Sequence, residues 1–203
     1  IIDFPQGSAE WLASRAGRVT ASCISDVMAK GKSGEAAVRA DYKAQIVAEI
    51  LTGKPQGSTF TNDAMQWGND QEPFARAAYE VTKGAMVDQC GLVLHPIIDR
   101  AGASPDGLVN DGLLEIKCPK TTTHLQYLLD GKAPAKYRNQ MLWQMACTER
   151  AWCDFVSFDP RLPEDLQLFV VRFERDDDAI KAMEAEVLAF LSEVDEIIKR
   201  LRK

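Results

Sequence analysis

Asp106, Glu115 and Lys117 are the residues best placed to do chemistry in this sequence. They fall within Ser104-Pro105-Asp106-Gly107-Leu108-Val109-Asn110-Asp111-Gly112-Leu113-Leu114-Glu115-Ile116-Lys117-Cys118-Pro119. Asn110-Asp111-Gly112 has the composition of a tight hairpin turn, so paired strands are expected on either side of it. Side chains alternate along a strand. Leu114 and Ile116 then share one face, and Glu115 and Lys117 share the other. Asp106 lies across the turn, from where its carboxylate can reach that second face. Two carboxylates in one place repel unless a cation joins them, and a hard ion such as Mg²⁺ takes oxygen ligands in an octahedron. The carbonyl of Ile116 can supply a third protein oxygen. A divalent ion lowers the pKa of bound water and steadies charge on phosphate oxygens. An amine such as Lys117 orients water or neutralises developing charge. The set offers what phosphodiester hydrolysis needs. The plain alternative is a surface hairpin carrying Glu-x-Lys by chance, because that triplet alone is common.

Few other residues compete. Neither His95 nor His124 lies in a nucleophile motif. The five cysteines are odd in number and show no CxxC spacing, so neither a disulfide framework nor a zinc site is expected. Each is read as a small buried hydrophobe.

The elements around the hairpin follow from pattern and punctuation. Gly7-Ser8-Ala9-Glu10-Trp11 reads as a helix start with Ser8 as N-cap. A short helix is expected from Thr20 through Met28, then a turn from Gly31 to Gly34. A longer helix runs from about Glu35 to Thr52, ended by Gly53 and Pro55, with loop over Pro55-Gln56-Gly57-Ser58. Phe74–Lys83 is helical, and Pro73 leaves its beginning open. Strands are expected at Ala85–Leu94, Ala101–Val109 and Leu113–Cys118, a helix at Pro134–Thr148, and strands at Trp152–Phe158 and Leu166–Phe173. A final helix over about 177–201 repeats Ile180, Val187, Val194 and Leu201 every seven residues, with Asp176–Asp178 at its start and Lys199–Lys203 at its end. It is read as packing on its own domain, with a subunit contact as the alternative. The order implies a mixed α/β domain with a central sheet and flanking helices.

A chain of 203 residues fits one domain, 1–203. No apolar run approaches a membrane span. Ile1-Ile2-Asp3-Phe4-Pro5 has neither the basic nor the apolar region of a secretory leader, so a cytoplasmic protein is expected. The net charge of −6 argues against a generic DNA-coating protein. It leaves room for metal-holding carboxylates beside basic residues confined to one groove.

The wider pattern resembles a known family. Pro105-Asp106…Glu115-Ile116-Lys117 has the form of the PD-(D/E)xK nuclease signature. Trp11-Leu12-Ala13-Ser14-Arg15, Thr20-Ala21-Ser22, Trp67-Gly68-Asn69-Asp70-Gln71-Glu72, Ser104-Pro105-Asp106-Gly107, Glu115-Ile116-Lys117-Cys118-Pro119 and Tyr137-Arg138-Asn139-Gln140 follow in order. That order is similar to the phage lambda exonuclease and YqaJ-type recombinase family over about residues 4 to 175. The resemblance implies a restriction-endonuclease-like core, a central mixed β-sheet flanked by α-helices. It implies a 5′-to-3′ exonuclease that digests one strand of duplex DNA and leaves a 3′ single-stranded tail. It further implies Mg²⁺, two ions per site with Mn²⁺ as a substitute, a ring-shaped homotrimer around double-stranded DNA ends, and a single-strand annealing protein as partner. The setting it implies is the cytoplasm of a bacterial or phage-infected cell.

Residue by residue, the resemblance makes Asp106 and Glu115 the metal carboxylates and Lys117 the catalytic lysine. Glu72 becomes a further acid of the metal region, and Gln140 a glutamine near it. Arg15, Ser22 and Ser104 become the grip on a 5′-phosphate, with Thr20 and Trp11 in the same motifs, and Met65 a wedge at the DNA fork. Plainer roles stand beside these. Arg15 can stack on Trp11 as a surface cation–π pair. Gln140 and Gln144 share a helix face that can be solvated, Glu72 can serve the helix dipole, and Trp67 can be core. Two other functions compete. An endonuclease of the same superfamily would use the same three residues and cut circles, whereas Arg15, Ser22 and Ser104 suit a terminal phosphate. A non-catalytic DNA-end-binding module would not need Asp106, Glu115 and Lys117 intact.

Overall fold

A computed structural model describes residues 1–56 and 63–203. Gly57 and Ser58 of the expected loop lie outside the described residues. The hairpin on either side of Asn110-Asp111-Gly112 forms the edge of a four-stranded sheet. β4 (Gly107–Val109) pairs antiparallel with β5 (Gly112–Lys117), β5 runs parallel to β6 (Trp152–Phe158), and β6 pairs antiparallel with β7 (Leu168–Glu174). The register sets Glu115 beside Phe155 and Lys117 beside Ser157. Asn110 takes the left-handed conformation that the turn requires, with φ of 47°. Gly112 is required by packing, because a Cβ there would lie 2.2 Å from the Trp152 ring.

A second sheet has three short strands. β1 (Val19–Thr20) is parallel to β3 (Ala101–Ala103), and β2 (Val93–Leu94) is antiparallel to it. Two sheets therefore stand where one central sheet was expected. The single expected strand Ala101–Val109 breaks at Ser104-Pro105-Asp106 and divides between them. Pro105 has no N–H to give a ladder. The expected strand Ala85–Leu94 shrinks to β2 plus two isolated bridges, Asp88 to Leu108 and Leu92 to Ile2.

Helices cover both sides. α1 (Ala9–Arg15) starts at Ser8, whose hydroxyl accepts from the Trp11 N–H at 3.1 Å. The expected Thr20–Met28 helix is shorter: β1 takes Thr20, a 3₁₀ turn takes Ala21–Cys23, and α2 spans Ile24–Val27. α3 (Ala37–Thr52) ends at Gly53, with φ of 67°. α4 (Asp63–Lys83) runs through Pro73, and its beginning, left open by the sequence, lies ahead of Gly68. α5 (Thr121–Asp130) was not expected: Thr121-Thr122-Thr123 has low helix propensity, and no side chain caps it. Burial of His124 and Tyr127 holds it, with His124 Nδ1 2.7 Å from Ser157 Oγ. α6 (Arg138–Thr148) follows a 3₁₀ turn, Ala135–Tyr137, and α7 (Asp177–Leu201) starts at Asp176, which accepts from the Ala179 N–H.

The two faces of the four-stranded sheet enter different cores. Leu114, Ile116, Val156 and Phe158 pack under Ala75 and Tyr79 of α4. Leu113, Cys153 and Phe155 join the larger core with Met141, Leu142 and Trp143 of α6 and the apolar stripe of α7. α7 thus packs on its own chain through Ile180, Met183, Val187, Phe190 and Val194. Among the described residues, no helix is long and apolar enough to cross a membrane.

Candidate active site

Pleating puts Glu115 on the α6 side of β5, opposite Leu114 and Ile116. Glu115 is fully buried, so its carboxylate must find partners. Gln140 Nε2 donates to its Oε1 at 2.8 Å, and Gln144 Nε2 donates to its Oε2 at 2.7 Å. Lys117 pairs with Oε1 as well. Gln140 and Gln144 are one helical turn apart, and the face they share meets an acid rather than water.

Asp106 sits at the break between the sheets. Its N–H donates to the Leu114 carbonyl at 3.1 Å, and its Oδ2 accepts from the Ile116 N–H at 2.6 Å. Burial pushes its carboxyl well above the usual carboxylate range, and the nearby Glu115 adds to the rise while Lys117 opposes it. Burial also raises Glu72, against the pull of Arg76 and Lys117. For Lys117, burial works to lower the pKa, but Glu115 and Asp106 outweigh it and hold the ammonium above its ordinary value. The Lys117 Nζ also lies 5.2 Å from the centre of the Tyr137 ring, which stacks on Phe155 at 5.5 Å.

This arrangement fits a divalent cation of the Mg²⁺ kind. Asp106, Glu72 and Ile116 border one space, Glu115 lies buried behind Lys117 and Gln140, and burial, with the nearby Glu115, raises Asp106. Mg²⁺ takes one or two carboxylates and keeps several waters.

The same cleft, about 550 Å³ in volume, continues away from the acids. Asp106, Ile116, Lys117, Glu72 and Gln140 border it, as do Arg15, Thr20, Ser22, Ser104, Trp11 and Met65. The Arg15 guanidinium stacks 4.0 Å from the centre of the Trp11 ring. Its Nη2 donates to Ser22 Oγ at 3.0 Å and to Thr20 Oγ1 at 3.3 Å. The cation–π pair and the cleft position are both real, so one reading does not displace the other. Trp11 Nε1 donates to Ser104 Oγ at 3.0 Å. Ser104 accepts from Trp11, which leaves its hydroxyl proton to donate onward, and Ser22 accepts from Arg15 while sharing a hydroxyl contact with Thr20 at 3.3 Å. Among the described residues no carboxylate forms an ion pair with Arg15. Burial lowers its pKa, yet a guanidinium stays charged at any working pH. The result is a set of donors suited to an anion.

Other sequence-derived residues fall as follows. Met65 is 53% exposed at the cleft. Trp67 is half-buried, with the Arg161 guanidinium 4.5 Å from its ring centre, and is neither full core nor a bare platform. Glu72 pairs with Arg76. Arg76 also donates through Nε and Nη2 to the Asp106 carbonyl at 3.3 and 3.2 Å. It ties α4 to the acid-bearing segment and was missed by the sequence reading. The i, i+4 spacing from Glu72 was the available signal. Gln6 was also missed: its amide donates to the carbonyls of Cys90 and Pro105 at 3.0 and 2.9 Å, so it braces the break between sheets.

Comparison with known proteins gives the family and the fold. The profile of the YqaJ-like viral recombinase domain matches residues 10–151. The chain is similar to an alkaline exonuclease (LHK-Exo) from Laribacter hongkongensis at 49% identity. The match covers 96% of both chains, with a TM-score of 0.88. The structure of LHK-Exo in complex with dAMP gives 0.89 at the same identity and coverage. A phage-related exonuclease from Haemophilus somnus 129PT matches at 18% identity over 91% of this chain and 96% of that one, TM-score 0.72, a likeness of fold. No curated protein matches. The mixed sheets and flanking helices are the PD-(D/E)xK fold that the sequence resemblance implied.

Proposed function

The chain belongs to the YqaJ-like viral recombinase family, and on that premise we propose that it is a Mg²⁺-dependent 5′-to-3′ exonuclease. It digests one strand of linear duplex DNA and leaves a 3′ single-stranded overhang for recombination by strand annealing. Residues 1–203 act as one nuclease domain. The observation that carries the reading is one cleft with two ends: acids and a lysine at one, anion donors at the other. Ser104 belongs to the donor end and Asp106 to the acid end. Two residues of chain span at most about 7 Å, so the donors and the acids lie a short step apart. A terminal phosphate gripped by Arg15, Ser22 and Ser104 therefore sets the cut close to the end. The similar Laribacter exonuclease binds dAMP, a mononucleotide, in keeping with a short step.

In this reading Asp106, Glu115 and the Ile116 carbonyl hold the cation, with Glu72 nearby. When bound, Mg²⁺ supplies charge stabilisation at the phosphate and lowers the pKa of water. Gln140 and Lys117, which border the cleft, hold the Oε1 of Glu115 on that side. The Lys117 ammonium orients the attacking water and offsets charge that develops on the phosphate oxygens. Arg15 and the two serines fix the 5′ end, and Trp11 and Thr20 hold those donors in place. Met65, apolar and exposed at the cleft, meets the duplex where its strands part. Mn²⁺ substitutes for Mg²⁺, and two ions act together, as the family implies. Assembly as a homotrimer ring and work beside a single-strand annealing protein are likewise carried from the family.

The test compares linear with closed circular duplex, each with Mg²⁺ and with EDTA. Linear DNA should be degraded with Mg²⁺ only, faster from a 5′-phosphate than from a 5′-hydroxyl, and circles should persist. Circles cut as fast as linear DNA would mean an endonuclease. Clean binding to ends with no cleavage in Mg²⁺ or Mn²⁺ would mean a binding module.

A further inference from the structure

Gln144 is a polar residue in a helix segment that is buried on every side. Met141 through Cys147 are buried without a break, and every one of them except Gln144 is apolar. Gln144 itself is 0% exposed. An amide there gives up its water and must be repaid by partners in the protein. Its Nε2 has one, Glu115 Oε2 at 2.7 Å. Its Oε1, among the described residues, has no donor. An unmatched buried acceptor is destabilising, so packing alone would favour leucine or methionine at this position.

Glu115 explains the choice. Its outer oxygen, Oε1, is held by Gln140 and Lys117, both of which border the cleft. Its inner oxygen, Oε2, is held by Gln144. The terminal torsion of a glutamate is broad, so a carboxylate fixed at one oxygen can still turn. Fixed at both, it keeps one orientation.

We propose, on the reading of this cleft as a metal-dependent hydrolytic site, that Gln144 is a positioning residue that pins the inner oxygen of Glu115 and so holds the outer oxygen in register with Gln140 and Lys117 at the cleft wall. It touches neither substrate nor cation.

The perturbation is Gln144→Met, close in size and without the donor. The variant should fold, bind blocked duplex ends as the wild type does, and keep its KM for linear duplex. Its kcat should fall about 10- to 100-fold, the usual loss when a residue supporting a metal ligand is removed. A second readout uses the wild-type protein without DNA. The side-chain amide protons of Gln144 should exchange slowly, and their nuclear magnetic resonance signals should shift on titration with Mg²⁺. Wild-type kcat in Gln144→Met overturns the proposal, and so does a Gln144 amide that stays unmoved at saturating Mg²⁺. Should the variant fail to fold, the amide titration decides. A wild-type protein whose amide responds to Mg²⁺ but which degrades no duplex sinks the exonuclease reading and leaves the positioning role standing. Normal cleavage with an unmoved amide sinks the positioning role alone.

Discussion

Arg15→Ala separates end recognition from hydrolysis. The guanidinium has five N–H donors, and the bonds to Thr20 and Ser22 both come from Nη2. Nε and Nη1 are left to face an anion in the cleft. A hydrogen bond involving a charged group is worth about 1.5–3 kcal/mol, so two would give about 3–6 kcal/mol at full strength. Arg15 is only half-buried, and solvent screening reduces that sum. A loss of about 2–3 kcal/mol is the working figure, or roughly 30- to 150-fold at 1.36 kcal/mol per decade. The assay measures kcat/KM on two linear duplexes that differ only in a 5′-phosphate or a 5′-hydroxyl. Salt is held fixed, because phosphate affinity depends on it. The phosphorylated substrate should lose the full factor and the hydroxyl substrate little, so the preference collapses. The variant should also melt slightly lower, since the stack on Trp11 at 4.0 Å contributes about 0.5–1 kcal/mol at an exposed site. An unchanged ratio between the two substrates would show that Arg15 does no more than stack on Trp11.

Lys117→Ala should reduce kcat by about 10²–10³-fold or more while duplex-end binding persists; cleavage at the wild-type rate would remove Lys117 from the mechanism. The same variant leaves Glu115 and Asp106 without their shared ammonium, so it should melt below wild type in EDTA and recover most of the difference with Mg²⁺. Glu193 of α7 is held down to about 2 by hydrogen bonds from Arg39 and Lys43, Arg39 first, against the effect of burial. A folded pKa below the unfolded value of about 4.3 stabilises above that value, and the gain is lost as pH falls through about 2. The Glu193 side chain is 42% exposed, so the network is worth at most about 1 kcal/mol. Glu193→Gln should therefore lower the melting temperature by no more than about 2–4 °C at pH 7, with the difference closing near pH 2. A difference that stays constant across that range would contradict the pairing.

Local signals were legible where the chain decides structure locally. The Asn110 turn, the alternation along β5, the Ser8 cap and the stripe of α7 were all readable, because each depends on neighbours in sequence. The split of Ala101–Val109 between two sheets was not. Pro105 marked a break, but the direction the chain takes there is set by Gln6 and by Val87, whose Cγ1 would lie 2.2 Å from a Cβ on Gly107. α5 was hidden by its three threonines, and its support comes from Ser157 and the Leu166 carbonyl, far away in sequence. At the site, the acid–lysine signature was visible as spacing. The second set of roles was not, because a glutamine bound to a buried carboxylate and a glutamine on a wet helix face have the same sequence. Gln144 was legible only in one respect, a polar residue inside an apolar run, and periodicity alone assigned it to solvent.

The charge balance explains how an acidic protein can address DNA. Several acids are ion-paired away from the cleft: Glu35 and Glu193 by Arg39 and Lys43, Asp154 by Arg172, Asp159 by Arg161, Asp176 by Arg138, Asp195 by Arg100. Around the cleft Glu72 pairs with Arg76 and Glu115 with Lys117, which leaves Asp106 as a third acid beside two cations. The opposite end of the same cleft holds Arg15 without an acid partner among the described residues. On the proposed reading, a net charge of −6 is compatible with a separation of charge along one cleft, acids that would hold a cation at one end and donors that would take a phosphate at the other. A terminal phosphate can reach Arg15, and the next phosphates then arrive where a bound cation has reversed the sign of the acids. Electrostatics of this form favours entry by an end over capture along the length, and it does so without the basic stripe that a sequence-independent DNA-coating surface requires.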